Sequence, residues 1–240
     1  MANDSTPIAV VTGATRGIGR AVAVELAKGG AHVIAIGRTV GALEELDDEI
    51  RVAGSSATLV PLDLTDFAAI DRLGAAIHER WGRLDALVGS AATLGKLMPA
   101  GHVPPKVWDE VVAVNTTANW RLIRSLDPLL RLSTAGRAVF LTCAAARTLR
   151  PFWAPYAASK AALEALVACY AAEMRSTAVR VNLVDPGPAR TRLRAEAAPG
   201  EDPSALPAPE EIAPGIATLC AAGCARHGER VELRIGGSHG

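Results

Sequence analysis

Short runs of apolar and β-branched residues alternate along the chain with longer stretches in which apolar positions recur at helical spacing. IAVVT (8–12), HVIAIG (32–37), ATLVPLD (57–63), LDALVG (84–89), RAVFLT (137–142), VRVNLV (179–184) and RVELRI (230–235) read as strands. Helical patterns occupy 17–29, 40–53, 66–81, 105–131, 155–176 and 209–223. The first strands are apolar throughout, which predicts a sheet with neither face in water. Regular strand–helix alternation then predicts an α/β, doubly wound parallel sheet with helices on both faces. One Pro/Gly-rich stretch, PGPARTRLRAEAAPGEDPSALPAP (186–209), breaks the pattern. A loop of that length inside a domain predicts a functional or mobile element.

Composition narrows the classes. The 240 residues fit a single domain, 1–240, and the chain is 50% hydrophobic but only 4% aromatic, so its core is built from Ala, Val, Leu and Ile. Lys and Arg (25) balance Asp and Glu (25), which leaves no net field to recruit nucleic acid or an anionic membrane. A small-molecule role fits better. The N-terminal MANDSTPIAVVTG has no basic n-region before an apolar run, and no run is long enough to span a bilayer, so a cytoplasmic protein is expected. Cys143, Cys169, Cys220 and Cys224 show no CxxC pairing. Cys220 and Cys224 fall four apart on a predicted helix without nearby histidine, and His32, His78, His102, His227 and His239 are scattered. Neither a metal site nor a disulfide is expected.

Candidate chemistry sits at two places. The first strand runs into TGATRGIG (12–19), where Gly13, Gly17 and Gly19 let the backbone turn, approach a pyrophosphate and present a helix N-terminus to it. Thr15, Arg16 and Ile18 fill the same loop. Far downstream, Tyr156 and Lys160 stand one helical turn apart, with Cys143 thirteen residues before the tyrosine. A neighbouring ammonium favours a phenolate, so Lys160 is expected to lower the pKa of Tyr156 and make it a proton relay. Thr142 also carries a hydroxyl, but adjacent strand side chains face opposite ways, so it is expected to point away from the site.

TGxxxGxG followed by YxxxK resembles the short-chain dehydrogenase/reductase family over essentially the whole chain, and FWAPYAASK with PGPARTRLR resembles a loosely defined bacterial subgroup of it. The resemblance implies a Rossmann fold with strand order 3-2-1-4-5-6-7. It further implies a catalytic set of Asn115, Cys143, Tyr156 and Lys160. Asp63, with Leu64 beside it, would touch the adenine; Pro186, Gly187 and Thr191 would frame the nicotinamide. Lys160 would hold the nicotinamide ribose, and Asn115 would bend its helix and hold a water that connects the lysine to solvent.

Several positions depart from the family pattern. Cys143 replaces the serine that orients the reacting oxygen. Gly89, Ser90, Ala91 and Ala92 replace NNAG, where small residues suffice for support and for cofactor approach. Ala146 replaces a glycine and is expected to reshape the pocket rim.

Charge selects the cofactor. NAD-specific members carry an acid at the end of the second strand, where this chain has Gly37 followed by Arg38. Arg38 and Arg16 offer guanidinium donors for a 2′-phosphate, so NADP(H) is expected. The implied function is an NADP(H)-dependent oxidoreductase acting on a carbonyl or alcohol substrate. The substrate would sit under residues 188–210, with Phe152 and Trp153 either at its entrance or packed in core or interface. A weak thiol donor at Cys143 keeps a second reading open, an NADP(H)-binding protein with lost catalysis and a sensing or scaffold role. The Ala-rich helix 155–176 and the widely apolar helix before it predict a homodimer or a homotetramer.

Overall fold

The structure is a computed structural model and describes residues 6–233. Alternate side chains of each strand feed opposite cores, as the two-residue period of a strand requires. From β1 (Ile8–Thr12), Ile8 and Val10 enter one layer and Ala9 and Val11 the other. The remaining elements follow in order. They are α1 (Gly17–Lys28), β2 (His32–Gly37), α2 (Val40–Val52), β3 (Ala57–Pro61), α3 (Phe67–Trp81) and β4 (Ala86–Gly89). Then come α4 (Pro105–Val112), α5 (Ala118–Leu132), β5 (Arg137–Leu141), α6 (Ala145–Thr148) and α7 (Ala154–Glu173), and finally β6 (Arg180–Asp185), α8 (Arg192–Ala197), α9 (Pro209–Cys220) and β7 (Arg230–Glu232).

The described strands form one seven-stranded parallel sheet in the order β3-β2-β1-β4-β5-β6-β7, as expected. One layer packs Ile70, Leu73 and Ile77 of α3, Leu122 and Leu126 of α5, and Leu163 and Val167 of α7 on the sheet. The other packs Val22 and Leu26 of α1, Leu43 and Leu46 of α2, and Ile212 and Ile216 of α9. Phe140, fully buried in β5, belongs to the first layer. Truncating a side chain of that kind to alanine typically costs about 3–5 kcal/mol.

Four expectations need correction. The helix read over 105–131 is interrupted by a π segment, Ala113–Thr117, that inserts one residue per turn between α4 and α5. The irregular stretch 186–209 contains α8 and a short 3₁₀ turn at Pro203–Ala205. α9 ends at Cys220, so Cys224 lies past the helix rather than on it. β3 ends at Pro61 rather than at 63, with one last bond to β2 from the Leu62 amide to the Gly37 carbonyl (2.9 Å). The last two residues of the predicted strand 230–235, His239 and residues 1–5 lie outside the described residues.

Candidate active site

The C-terminal ends of the parallel strands open into one cavity of about 1350 Å³, at the sheet edge where doubly wound folds place ligands. Gly13, Thr15, Arg16, Gly17, Ile18 and Gly19 line its first half. Gly13 has φ +65°, and a side chain there would stand 2.9 Å from the Ala91 Cα, so the loop is built for close backbone approach. α1 starts at Gly17 with no side-chain cap and no acid in its first turn. Its first amides therefore face the cavity without intrahelical partners, a ready anion site. The amides of Ser90 and Ala91 donate to Thr12 Oγ1 (3.1 and 3.2 Å), which ties the GSAA turn to β1.

Arg38, Asp63 and Leu64 line the far end of this half. Asp63 Oδ1 accepts from the Thr65 amide (2.9 Å) and hydroxyl (2.8 Å), which with nearby Arg38 holds its carboxyl below the usual range. Arg38 stands 4.0 Å from Asp63, and both are well exposed, so this pair is too weak to retain the guanidinium. Pro186, Gly187 and Thr191 close the other side of the cavity. Thr191 lies over the glycine loop, its Cγ2 only 3.3 Å from where a Gly17 side chain would begin.

Tyr156 and Cys143 meet in the second half. The Cys143 thiol donates to Tyr156 Oη at 3.8 Å, as the thirteen-residue return from strand to helix predicts. Lys160 is 3% exposed and donates through Nζ to the Leu141 carbonyl (2.8 Å), with Nζ 6.0 Å from the Tyr156 ring centre. The expected lowering of the tyrosine pKa is not what this arrangement produces. Burial pushes the Tyr156 phenol well above its ordinary value, and Cys143 and Asp185 push the same way. Burial also lowers Lys160, against the opposing influence of Cys143, Asp185 and Glu164. Desolvation outweighs the ammonium's field here because both side chains are almost wholly buried, with only 5% and 3% of their surface exposed.

Asn115 does not line the cavity but lies behind it, in the π segment between α4 and α5. Its Oδ1 accepts from the Thr93 amide (2.9 Å), and its Nδ2 donates to the Thr93 carbonyl (2.9 Å) and Ser159 Oγ (3.0 Å). Its own carbonyl accepts from Asn119 Nδ2 at 2.9 Å. Asn115 thus binds the loop after β4 to the residue beside Lys160, without bonding Lys160 itself.

Sequence reasoning missed the ionic chain beneath the site. Thr142, expected to point away from the site, lines the cavity with Cys143, its hydroxyl donating to Glu164 Oε1 (2.8 Å). Arg147 donates to the other oxygen of Glu164 (3.0 Å), so the residues flanking Cys143 grip one carboxylate on α7. Arg230 bridges Glu164 (3.0 Å) and Asp185 (2.6 Å), and Asp185 Oδ1 accepts from the Gly187 amide (3.0 Å). Burial opposes ionisation of Glu164, but the hydrogen bonds from Thr142, Arg147 and Arg230 hold its pKa below the usual value. Glu164 sits one turn past Lys160, the only hint the sequence offered; Arg230 had none.

Other expectations divide. Trp153 lines the cavity, its ring edge-on to Tyr156 at 6.0 Å, whereas Phe152 is 57% exposed and does not. Ala146 is buried and off the rim, which Ala144 and Ala145 form instead. Among the described residues no cluster of three His, Cys, Asp or Glu could hold a metal, and the four cysteines are free. No described helix is long and apolar enough to cross a membrane.

Comparison with known proteins agrees with this geometry. The chain is 38% identical over 210 residues to the oxidoreductase YciK of Escherichia coli K12, covering 86% of this chain and 83% of that one. A short chain dehydrogenase of Shigella flexneri 2a, solved with NADP, superposes with a TM-score of 0.90 at 35% identity, covering 94% of this chain and 96% of the other. One from Escherichia coli CFT073, solved with NADPH, gives 0.90 at 35%, covering 94% and 95%. The family model described as short chain dehydrogenase matches residues 7–202, and the chain belongs to that family.

Proposed function

We propose that this chain is an NADP(H)-dependent oxidoreductase that interconverts a carbonyl and an alcohol. The observation that carries the reading is the meeting of Cys143, Tyr156 and Lys160 in the same cavity as the glycine loop. The residues present fit the cofactor. Backbone amides at the α1 N-terminus suit the pyrophosphate, the side chain of Arg16, without a partner among the described residues, and the loosely held Arg38 suit a 2′-phosphate, and Gly37 removes the acid that would repel it. That two superposable neighbours were solved with NADP and NADPH supports the same choice.

A bound NADPH supplies hydride to the substrate carbon. Tyr156, kept protonated by burial, gives its proton to the substrate oxygen, and Cys143 touches that oxygen in place of a hydroxyl. Lys160, one of whose three protons is taken by the Leu141 carbonyl, would hold the cofactor ribose and steady the phenolate that remains. Asn115 supports the proton relay by fixing Ser159 and Thr93, and Asp63, Leu64, Ala91, Pro186, Gly187 and Thr191 seat the cofactor. The whole chain acts as one unit, with residues 188–210 over the substrate, in the cytoplasm and as a homodimer or tetramer.

The alternative of a cofactor binder without catalysis draws no support from the relatives, which carry oxidoreductase and dehydrogenase names. The test is NADPH consumption against a carbonyl panel, with cofactor binding measured in parallel. Binding without turnover on any carbonyl would return the reading to that alternative.

A further inference from the structure

Of the five residues Leu149–Trp153, between α6 and α7, Arg150 and Trp153 line the cavity that holds Tyr156. Two of the five carry positive φ without being glycine, Leu149 at 44° and Phe152 at 74°. For bulky side chains this is strained backbone, and such strain persists where surrounding contacts over-determine it, most often at functional sites. The restraints are visible. Phe152 O accepts from the Met98 amide (3.1 Å), Arg150 O accepts from the Trp153 amide (3.4 Å), and Pro151 stiffens the turn between them.

What the strained turn presents is a cation and a flat wall. Arg150 lines the cavity, and its guanidinium has no acceptor in bonding distance among the described residues. Arg192 is held by Glu196 (2.8 Å), Arg194 by Glu201 and, just before the turn, Arg147 by Glu164 (3.0 Å), while Arg190 also lines the cavity but stands before α8, off the turn that walls Tyr156. Trp153, three residues on, sets its indole edge-on against the ring that carries the reacting hydroxyl, at 6.0 Å and 64°. The cavity's 1350 Å³ exceeds the roughly 300–1,000 Å³ usual for one ligand, so it has room for a second molecule beside the cofactor. Glu110 and Glu210 also line it, but they stand on α4 and α9, off the turn that walls Tyr156.

Resting on the oxidoreductase reading above, we propose that the substrate is a planar ring compound bearing a carboxylate. Arg150 pairs with the carboxylate and Trp153 packs on the ring, which leaves the reacting carbonyl at Tyr156. In the reductive direction the carbonyl carbon gains a hydride from NADPH and the oxygen a proton from Tyr156, yielding the alcohol and NADP⁺. Free guanidinium groups recognise carboxylates by paired, charge-assisted hydrogen bonds, and an indole face accepts any flat ring.

The test compares 4-carboxybenzaldehyde with its methyl ester as substrates. It also measures binding of benzoate and benzamide to the protein saturated with NADP⁺. We expect kcat/KM to favour the carboxylate by about tenfold or more, and Arg150→Gln to bring that ratio close to one. Benzoate should bind in preference to benzamide, and Arg150→Gln should remove the preference while Arg150→Lys keeps part of it. The melting shift on adding NADPH reports that each variant is folded. Equal rates on acid and ester, or NADP⁺ binding with no benzoate binding, would overturn the proposal even if the protein reduces other carbonyls. Arg150-dependent benzoate binding without turnover would support the site and count against the oxidoreductase reading instead.

Discussion

The Cys143 thiol reaches Tyr156 Oη at 3.8 Å, whereas a hydroxyl in its place would bond at about 2.7–2.8 Å. Sulfur is the larger atom and the weaker donor, so in the proposed reaction Cys143 would orient the substrate oxygen only loosely. Removing a good donor from such a position typically costs about 10²–10³ in rate. Cys143→Ser is therefore expected to raise turnover on a reducible carbonyl at least several-fold. Tyr156→Phe should abolish turnover and leave NADPH affinity nearly unchanged. Steady-state kinetics with parallel binding titrations decide this, and a slower serine variant would mark the cysteine as adapted to its task.

Cofactor choice turns on Gly37 and Arg38. Dissociation constants should favour NADPH over NADH, and Arg38→Ala should narrow the gap by about tenfold, the worth of one charge-assisted phosphate contact. Conversion to NADH is not a one-residue change. A side chain on Gly37 would run into Thr15 Cγ2, while Thr15 Cβ lies at an ordinary 3.5 Å. Gly37→Asp alone should weaken both cofactors, and Gly37→Asp with Thr15→Ala should bind NADH. Recovery of NADH binding by the single variant would show that Thr15 yields more easily than its packing implies.

The raised Tyr156 pKa gives the two reaction directions opposite pH profiles. Reduction needs the phenol protonated, so its kcat/KM should stay flat through neutral pH and fall only on the alkaline side. Oxidation of the alcohol needs the phenolate and should still be rising where reduction begins to fall. An optimum for oxidation near neutral pH would mean that the bound cofactor, rather than the protein alone, brings the tyrosine down.

Glu164 joins the Cys143 turn, α7 and β7, and its side chain is only 13% exposed. Glu164→Ala strands the Thr142 hydroxyl and leaves the Arg147 guanidinium without its partner, at a cost of about 1–3 kcal/mol. The pH sign follows from the depressed pKa of its carboxyl. Its contribution is complete above the unfolded value of about 4.3 and is lost as pH falls through the folded one. Urea denaturation should show the variant less stable at neutral pH and less sensitive to acid. An unchanged midpoint would show that the ionic chain contributes nothing.

The outer face of α7 leaves Ala158, Ala162, Ala165, Cys169 and Ala172 exposed, and Trp120 on α5 is 43% exposed. A second copy packed there would bury well over about 1,000 Å². Light scattering should give a dimeric or tetrameric mass at micromolar concentration. Ala165→Glu should shift it toward monomer without loss of NADPH binding; a monomeric parent protein would contradict the assembly.

Period and spacing made the sheet legible, because a strand's two-residue alternation and a helix's face are written in every residue. Gly13, Arg38, Tyr156 and Lys160 were equally readable, since their chemistry depends on local spacing. What escaped depends on single insertions and distant partners. One extra residue at 113–117 averages out of a helical pattern. Arg230 and Glu164 are 66 positions apart, so only the folded sheet brings them together. The tyrosine's proton affinity was misjudged because sequence displays Lys160 one turn away and conceals how completely both groups are dried.

The π segment carries a consequence at the level of the gene. Its extra residue is what lets Asn115 face Thr93 and Ser159 while Leu122 and Leu126 of α5 still face the core. Loss of one codon anywhere in 113–117 would close the wide turn into a regular α-helix that keeps the apolar stripe of α5 on the core but costs Asn115 its place against Thr93 and Ser159. In-frame deletions of single codons should therefore be purged here, whereas the exposed turn at 199–204 should tolerate them.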